Sequence, residues 1–278
     1  MSQKFIAEFE IYKLLQEANI KTPKHSVVYN TDDCKHTSFK EGEAVVLKGM
    51  ADELWHKSDN GALEFCDFSI NKIQQRHLNM SAHVNKSFPW IGTLVTEKVS
   101  FKSPQGVPSE IFVSLQRDKC CGAIVTLGFG GLLAEEWAKE LKDSLLIWPT
   151  SVYSAEEAAD ELADHWLGKI LLGKVRQQKA LVTKEKLQCF LKSIWKLDTL
   201  MEEKKMGLLE VNPFVIDSTG DFIALDGVGL LADDNHQEVC PIPLSDNSFL
   251  NPKRIAIAGV SKKQGNVGRM ILDNIRKS

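Results

Sequence analysis

No apolar run in this sequence is long enough to cross a bilayer as a helix; the longest weakly polar stretch, Cys120 to Ala134, is short and carries four glycines. Nor does the N-terminus hold a continuous apolar segment, since MSQKFIAEFEIYKLL sets acids inside its apolar pattern, which excludes a secretory signal. Neither sign of charge dominates. A formal charge of −3 with lysines and acids interspersed gives no footprint for nucleic acid or an anionic membrane. None of the six cysteines lies in a CxxC pair or at a Cys/His ligand spacing, and adjacent Cys120 and Cys121 are poorly placed to bridge each other, so reduced thiols are expected. Repeats and low-complexity tracts are also missing. What is left is a cytoplasmic globular protein with small-molecule or protein partners, and 278 residues favour two domains.

The pattern along the chain is mixed. Residues 4 to 18 space Phe5, Ile6, Phe9, Ile11, Leu14 and Leu15 as a helix, stopped by Asn19 and Pro23. Extended segments follow at 26–29 and 44–48, then a strand at 62–68 and a helix at 69–80. From Leu94 short strands separated by turn residues such as Ser103 to Gly106 predict a mixed or antiparallel sheet, with Ile111, Val113 and Leu115 on one face. Helices are read at 154–172, opened by a Ser154/Glu157 capping box, and at 184–204; a hairpin turning at Asp217 to Gly220 closes the unit. Residues 231–252 are polar and carry three prolines, which reads as a linker. Beyond it, 253–278 reads as a strand, a glycine turn and the start of a helix, the opening of a second, incomplete domain.

Four segments carry chemistry. In VVLKGMADELWHKSDNG, Lys48 ends an apolar run, and His56, Lys57, Ser58 and Asp59 share a polar turn. Lysines there can neutralise a phosphate and Asp59 can orient an imidazole nucleophile; the bland alternative is a snorkelling lysine and an inert surface histidine. The glycines Gly128, Gly130 and Gly131 follow a strand and precede a helical LLAEEWAKEL, a turn whose N–H groups can approach a phosphate, or simply a tight connection. Glu210 and Asn212 point to one side of a strand, with Asp226 across the hairpin; these hard oxygens suit Mg²⁺. Glu97 and Glu110 flank the link between sheet segments, where either can accept from a ribose while the backbone of Lys98 and Val99 pairs with a base.

Taken together, VVLKGMADELWHKSD, LVTEKV with EIFVSLQRD, GAIVTLGFGGLLAEE and LLEVNPF with ALD resemble, in order over about residues 4 to 230, the ATP-grasp (beta) portion of the NDP-forming acyl-CoA synthetases. FEIYKLLQEANIKTPK resembles that family's opening helix and proline-marked turn, and 253–278 is similar to the first βα unit of its Rossmann-like CoA-binding domain. The resemblance implies an α+β ATP-grasp fold at 1–230, two subdomains clasping ATP or ADP. Lys48 would hold nucleotide phosphates, Glu97, Val99 and Glu110 the adenosine, and Asn212 and Asp226, assisted by Glu210, Mg²⁺. His56, with Lys57 and Asp59, would relay phosphate, and Gly128 to Gly131 would cradle it. CoA would enter through a missing or partner CoA-binding and ligase (alpha) domain or subunit. The sequence departs from the family at Ala62, Lys174 and Gln177, where glycines are usual, and at Gly227-Val228.

Two activities compete. The favoured one is the nucleotide-binding component of an ADP-forming acyl-CoA synthetase; the alternative is a catalytically incomplete nucleotide-sensing module. A dinucleotide oxidoreductase, suggested by GVSKKQGNVG, is disfavoured because that glycine pattern is weak.

Overall fold

A computed structural model of the chain describes residues 4–102, 108–118, 122–132, 134–140, 143–176, 178–232, 255–261 and 266–276. The chain divides into two compact units, Met1–Val239 and Cys240–Ser278.

The first unit is built on two antiparallel sheets. The smaller pairs β2 (His25–Val28), β5 (Trp90–Glu97), β3 (Ala44–Ala51) and β4 (Leu63–Asp67) in the order β2-β5-β3-β4. Its central strand β3 is buried along nearly its whole length, as expected of VVL between two neighbours. Helix α2 (Ile70–Val84) packs Ile73, Met80 and Val84 into the core beneath it. In the larger sheet the path runs β1 (Phe5–Ile6), β11 (Val228–Leu231), β9 (Met206–Ile216), β6 (Ile111–Asp118), β7 (Gly122–Phe129), β8 (Leu145–Pro149), with β10 (Phe222–Ala224) beside β9. Against it lie α1 (Glu8–Glu17), α4 (Ala155–Asp164), α5 (Trp166–Leu171) and α6 (Lys184–Glu203); α3 (Ala134–Glu140) follows β7. The link after β5 is tied to the larger sheet where Lys102 N–H donates to Ile216 O (2.7 Å).

Several expectations need correction. The first helix does not start at residue 4: Phe5 and Ile6 form β1, whose pairing with Leu230 and Gly229 completes a sheet edge, and α1 begins at Glu8. The helix read at 154–172 is two helices. Ser154 and Glu157 form the reciprocal capping box, but His165 takes an extended conformation that ends α4 and caps α5. Leu231, read as linker, is the last residue of β11, held by β9; residues 233–252 lie outside the described ones. So do the Ser103 to Gly106 turn, Cys120 and Cys121. In the second unit the described residues 255–261 form no strand, because a strand needs a ladder partner; α7 (Val267–Ile275) is a helix as read.

Candidate functional site

Lys48 sits mid-way along β3, paired with Leu94 and Leu63, and its side chain is buried. A buried ammonium needs acceptors, and all three of its donors are engaged within the chain: Glu8 Oε1 (2.6 Å), Tyr12 Oη (3.0 Å) and Leu225 O. Lys57 is also buried. Its ammonium bonds Asp226 Oδ1 (2.6 Å) and lies 3.1 Å from Glu8 Oε2. Burial alone would lower the Lys57 pKa, but Asp226 and Glu8 outweigh it and hold the amine firmly protonated. For Asp226 burial works upward, and Lys57 and Lys48 bring its carboxyl below the usual range. Tyr12 is pushed well up by burial and then by Glu8 and Asp226, so its phenol stays a neutral donor, giving its proton to Leu225 O (2.6 Å).

This cluster joins the two sheets. Lys48 belongs to the smaller one and Lys57 to its β3–β4 turn, Leu225 and Asp226 to the connection into β11, and Glu8 and Tyr12 to α1. A cavity of about 30 Å³ adjoins it, lined by Glu8, Lys57, Gly49 and Gly227 among others; that is room for water rather than for a nucleotide.

The second half of the site lies at the end of β7. Gly131, at φ +84°, donates its N–H to Asn212 Oδ1 (2.8 Å), and Gly130 N–H donates to Glu110 O (2.9 Å). A Cβ at Gly131 would fall 1.9 Å from Glu110 Oε2, so the carboxylate lies directly against this glycine. Burial raises the Glu110 pKa. The halves meet across the β9/β11 register: Val228 opposes Glu210, and Leu225 N–H donates to Pro213 O (3.0 Å), which sets Asp226 across from Asn212.

The remaining predicted residues are placed as follows. His56, Ser58 and Asp59 are exposed, and no side-chain hydrogen bond joins His56 to Asp59, so the imidazole has no orienting carboxylate among the described residues. Gly128 is not in the turn: it belongs to the β7 ladder, where a Cβ would strike Leu145 at 2.5 Å. The turn proper is Gly130-Gly131. Glu97 Oε1 accepts from Lys24 N–H (2.8 Å), and Val99 makes no backbone hydrogen bond among the described residues.

Mg²⁺ can be tested against the donor set. Among the described residues, the hydrogen bonds to Asp226 from Lys57 and from Gly227 N–H (2.8 Å) both reach Oδ1 and none reaches Oδ2. Asn212 lies opposite and Glu210 two residues away on β9, so the donor types are the hard oxygens that a divalent cation takes, with Asn212 Oδ1 already accepting from Gly131 N–H. No group of three His, Cys, Asp or Glu occurs that could hold a metal among the described residues; this set depends on an amide.

Two residues escaped the sequence reading, Glu8 and Tyr12. The signal for Glu8 was present: with Ile11, Tyr12 and Leu15 it occupies i, i+3, i+4, i+7, an acid on an apolar stripe.

Two antiparallel sheets of unequal size, with Lys48 of the smaller one and Lys57 of its β3–β4 turn bonded to acids of α1 and of the connection into β11, define a two-lobed α+β protein. The chain belongs to the ATP-grasp family: a model described as the ATP-grasp domain matches residues 2–228, and the expected fold is borne out. Among curated proteins it is similar to an ADP-forming acetate–CoA ligase of Archaeoglobus fulgidus, 23% identical over 278 residues, covering 98% of this chain and 37% of that protein. It is also similar to the beta subunit of an ADP-forming succinate–CoA ligase of Chlamydia caviae, 28% identical over 149 residues, covering 51% of this chain and 34% of that one. The chain thus spans about a third of the length of these relatives. Among solved structures, an acetyl-coenzyme A synthetase of Ca. Korarchaeum cryptofilum in complex with coenzyme A, Ca-AMPCP and HgCl⁺ superposes with a TM-score of 0.64 at 19% identity. That likeness covers 82% of this chain and 93% of the other, and is one of fold. No helix among the described residues is long and apolar enough to cross a membrane.

Proposed function

We propose that this chain is the nucleotide-binding, phosphoryl-transferring component of an ADP-forming acyl-CoA synthetase. The observation that carries the reading is the cluster in which Lys48 and Lys57 share the carboxylate of Glu8 and Lys57 also meets Asp226. Phosphoryl transfer asks a protein chiefly for positioning and charge neutralisation, and two fixed ammonium groups at a lobe junction supply both. In this reading Lys48 exchanges one acceptor for a nucleotide phosphate. Tyr12 is the contact to give up, being neutral where Glu8 is charged. Val99 pairs with the base, Glu97 and Glu110 hold the ribose, and Gly130 and Gly131 with the Gly128 strand end frame the phosphate path. Asn212, Asp226 and Glu210 hold Mg²⁺, which supplies charge neutralisation on the phosphates. His56 carries the phosphoryl group: its N–P bond breaks as the P–O bond to ADP forms, and the reverse step phosphorylates it from ATP.

Relatives of which the match covers only about a third support a division of labour in which CoA and the acyl substrate are handled by a CoA-binding and ligase chain or domain. A second reading, nucleotide sensing without transfer, is favoured by the absence of a hydrogen bond between His56 and Asp59 among the described residues. One experiment separates them. The full chain is incubated with γ-labelled ATP and Mg²⁺; acid-labile label that disappears in His56→Ala supports the relay, whereas binding with no labelled protein supports the sensor.

A further inference from the structure

Helix α1 opens with a carboxylate on the face where its neighbours Ile11, Tyr12 and Leu15 are fully buried, and Glu8 itself is only 3% exposed. A carboxylate so placed is stabilised only by cations aimed at it. Its two oxygens address two different lysines, Oε1 the Lys48 ammonium at 2.6 Å and Oε2 the Lys57 ammonium at 3.1 Å. The second contact acts by charge, since Oε2 accepts no hydrogen bond. Among the four side chains Glu8, Lys48, Lys57 and Asp226 the charges cancel. Without Glu8, two buried ammonium groups would share one acid, Asp226, and that acid hydrogen-bonds Lys57.

The geometry points to Glu8 as a positioning residue for the phosphoryl transfer proposed above, on which this inference rests. One shared carboxylate holds Lys48 and Lys57 side by side, and through Lys57 it sets the turn that carries His56. That turn is closed on itself: Ala62 N–H donates to Lys57 O (2.8 Å), and Asn60 donates to His56 O through its backbone N–H (3.3 Å) and through Nδ2 (2.8 Å). With the Lys57 side chain drawn inward, its neighbours His56 and Ser58 are exposed. The inward pull on Lys57 therefore fixes the outward presentation of His56. Glu8 acts on the reaction through the lysines and is not itself a catalytic residue.

Glu8→Gln and Glu8→Asp test this in the full chain, the first removing the charge and the second shortening the reach by one methylene so that both lysines cannot be spanned. Amide hydrogen exchange over residues 56–62 is read without nucleotide, alongside the affinity for ATP with Mg²⁺ by calorimetry. In Glu8→Gln the turn amides exchange about tenfold faster while the α6 amides keep their protection, and ATP binds about tenfold more weakly. Glu8→Asp gives the same local signature at smaller size, and is the deciding variant should Glu8→Gln not fold. Wild-type exchange at the turn in both variants, or acceleration spread evenly over the chain, would overturn the inference, the second outcome making Glu8 a purely structural residue. A wild-type chain that binds no ATP sinks the proposed function instead, because the exchange measurement needs no nucleotide.

Discussion

Two clusters in this fold have the same composition, two lysines and two carboxylates, but in one of them both lysines and one acid are buried. Lys48, Lys57, Glu8 and Asp226 have side chains 7, 8, 2 and 32% exposed; Lys21, Lys186, Asp217 and Asp221 have side chains 52, 35, 15 and 33% exposed. The outer cluster clamps the β9–β10 turn and is locally complete. Lys186 reaches Asp221 Oδ1 (2.7 Å), Lys21 reaches Asp221 Oδ2 (2.5 Å), and Asp217 Oδ1 accepts from the N–H groups of Thr219 and Asp221 (2.8 and 2.9 Å). The inner cluster leaves Glu8 Oε2 without a hydrogen bond and, among the described residues, puts none on Asp226 Oδ2. Desolvation makes the same four charges a fastening in one place and an unfinished polar site in the other.

The largest effect that would sharpen this contrast is expected from Lys57→Met. Methionine fills the volume, but Glu8 and Asp226 are left facing Lys48 alone, and breaking a buried ion pair costs about 3–5 kcal/mol. For a unit of this size that is a fall of about 10 °C or more in Tm, read by calorimetry. A loss under about 1 kcal/mol would put the buried cluster on the footing of a surface one and remove the contrast. The acid limb offers a check. Because the Asp226 pKa is lowered on folding, its contribution is present above its unfolded value and is lost as pH falls through the folded one; without Lys57 that limb flattens.

The same contrast explains what could be read from sequence. Helix α6 was legible to within a residue, and Ser154 and Glu157 announced their capping box, because both are local patterns. Strands β8 and β11 were not read, since five and four residues at sheet margins owe their extended state to β7 and β9 rather than to periodicity. The expectation that Lys48 and Asp226 share a site drew on motif order, and the structure brings them into one cluster. What no motif shows is that Lys57 turns inward: its partner lies 169 residues away, and the acid that completes the group was an unremarked member of α1.

An intermediate effect is expected at Glu110, the charged group of the site's other half. Burial raises its pKa in the folded state, so the fold holds this proton to higher pH than the unfolded chain does. The sign is the reverse of Asp226: above the folded pKa the ionised group opposes folding, and the penalty is relieved as pH falls toward the unfolded value. Glu110→Gln therefore raises Tm at neutral pH by roughly 3 °C and gives no gain in acid, while weakening ATP binding if the carboxylate holds a ribose. An equal Tm change at both ends of the pH range would show that packing against Gly131, not charge, sets the effect.

The smallest effect is assigned to the outer cluster. Lys186→Met removes one of two cations on Asp221, whose carboxyl Lys186 and then Lys21 hold well below the usual range. Lys21 remains at 2.5 Å, and a third of each partner's side chain is in water. Exposed pairs contribute about 0.2–1 kcal/mol, so the expected loss is about 0.5 kcal/mol. Salt decides whether this is the surface counterpart of Lys57→Met. Screening with a Debye length of about 10 Å at 0.1 M reaches an exposed pair and barely touches a buried one. Urea titrations at low and at molar salt should shrink the Lys186→Met effect to within error and leave that of Lys57→Met in place. If both variants lose their effect in salt, water reaches Lys57 as freely as Lys186, and the burial that distinguishes the two clusters is not felt by their charges.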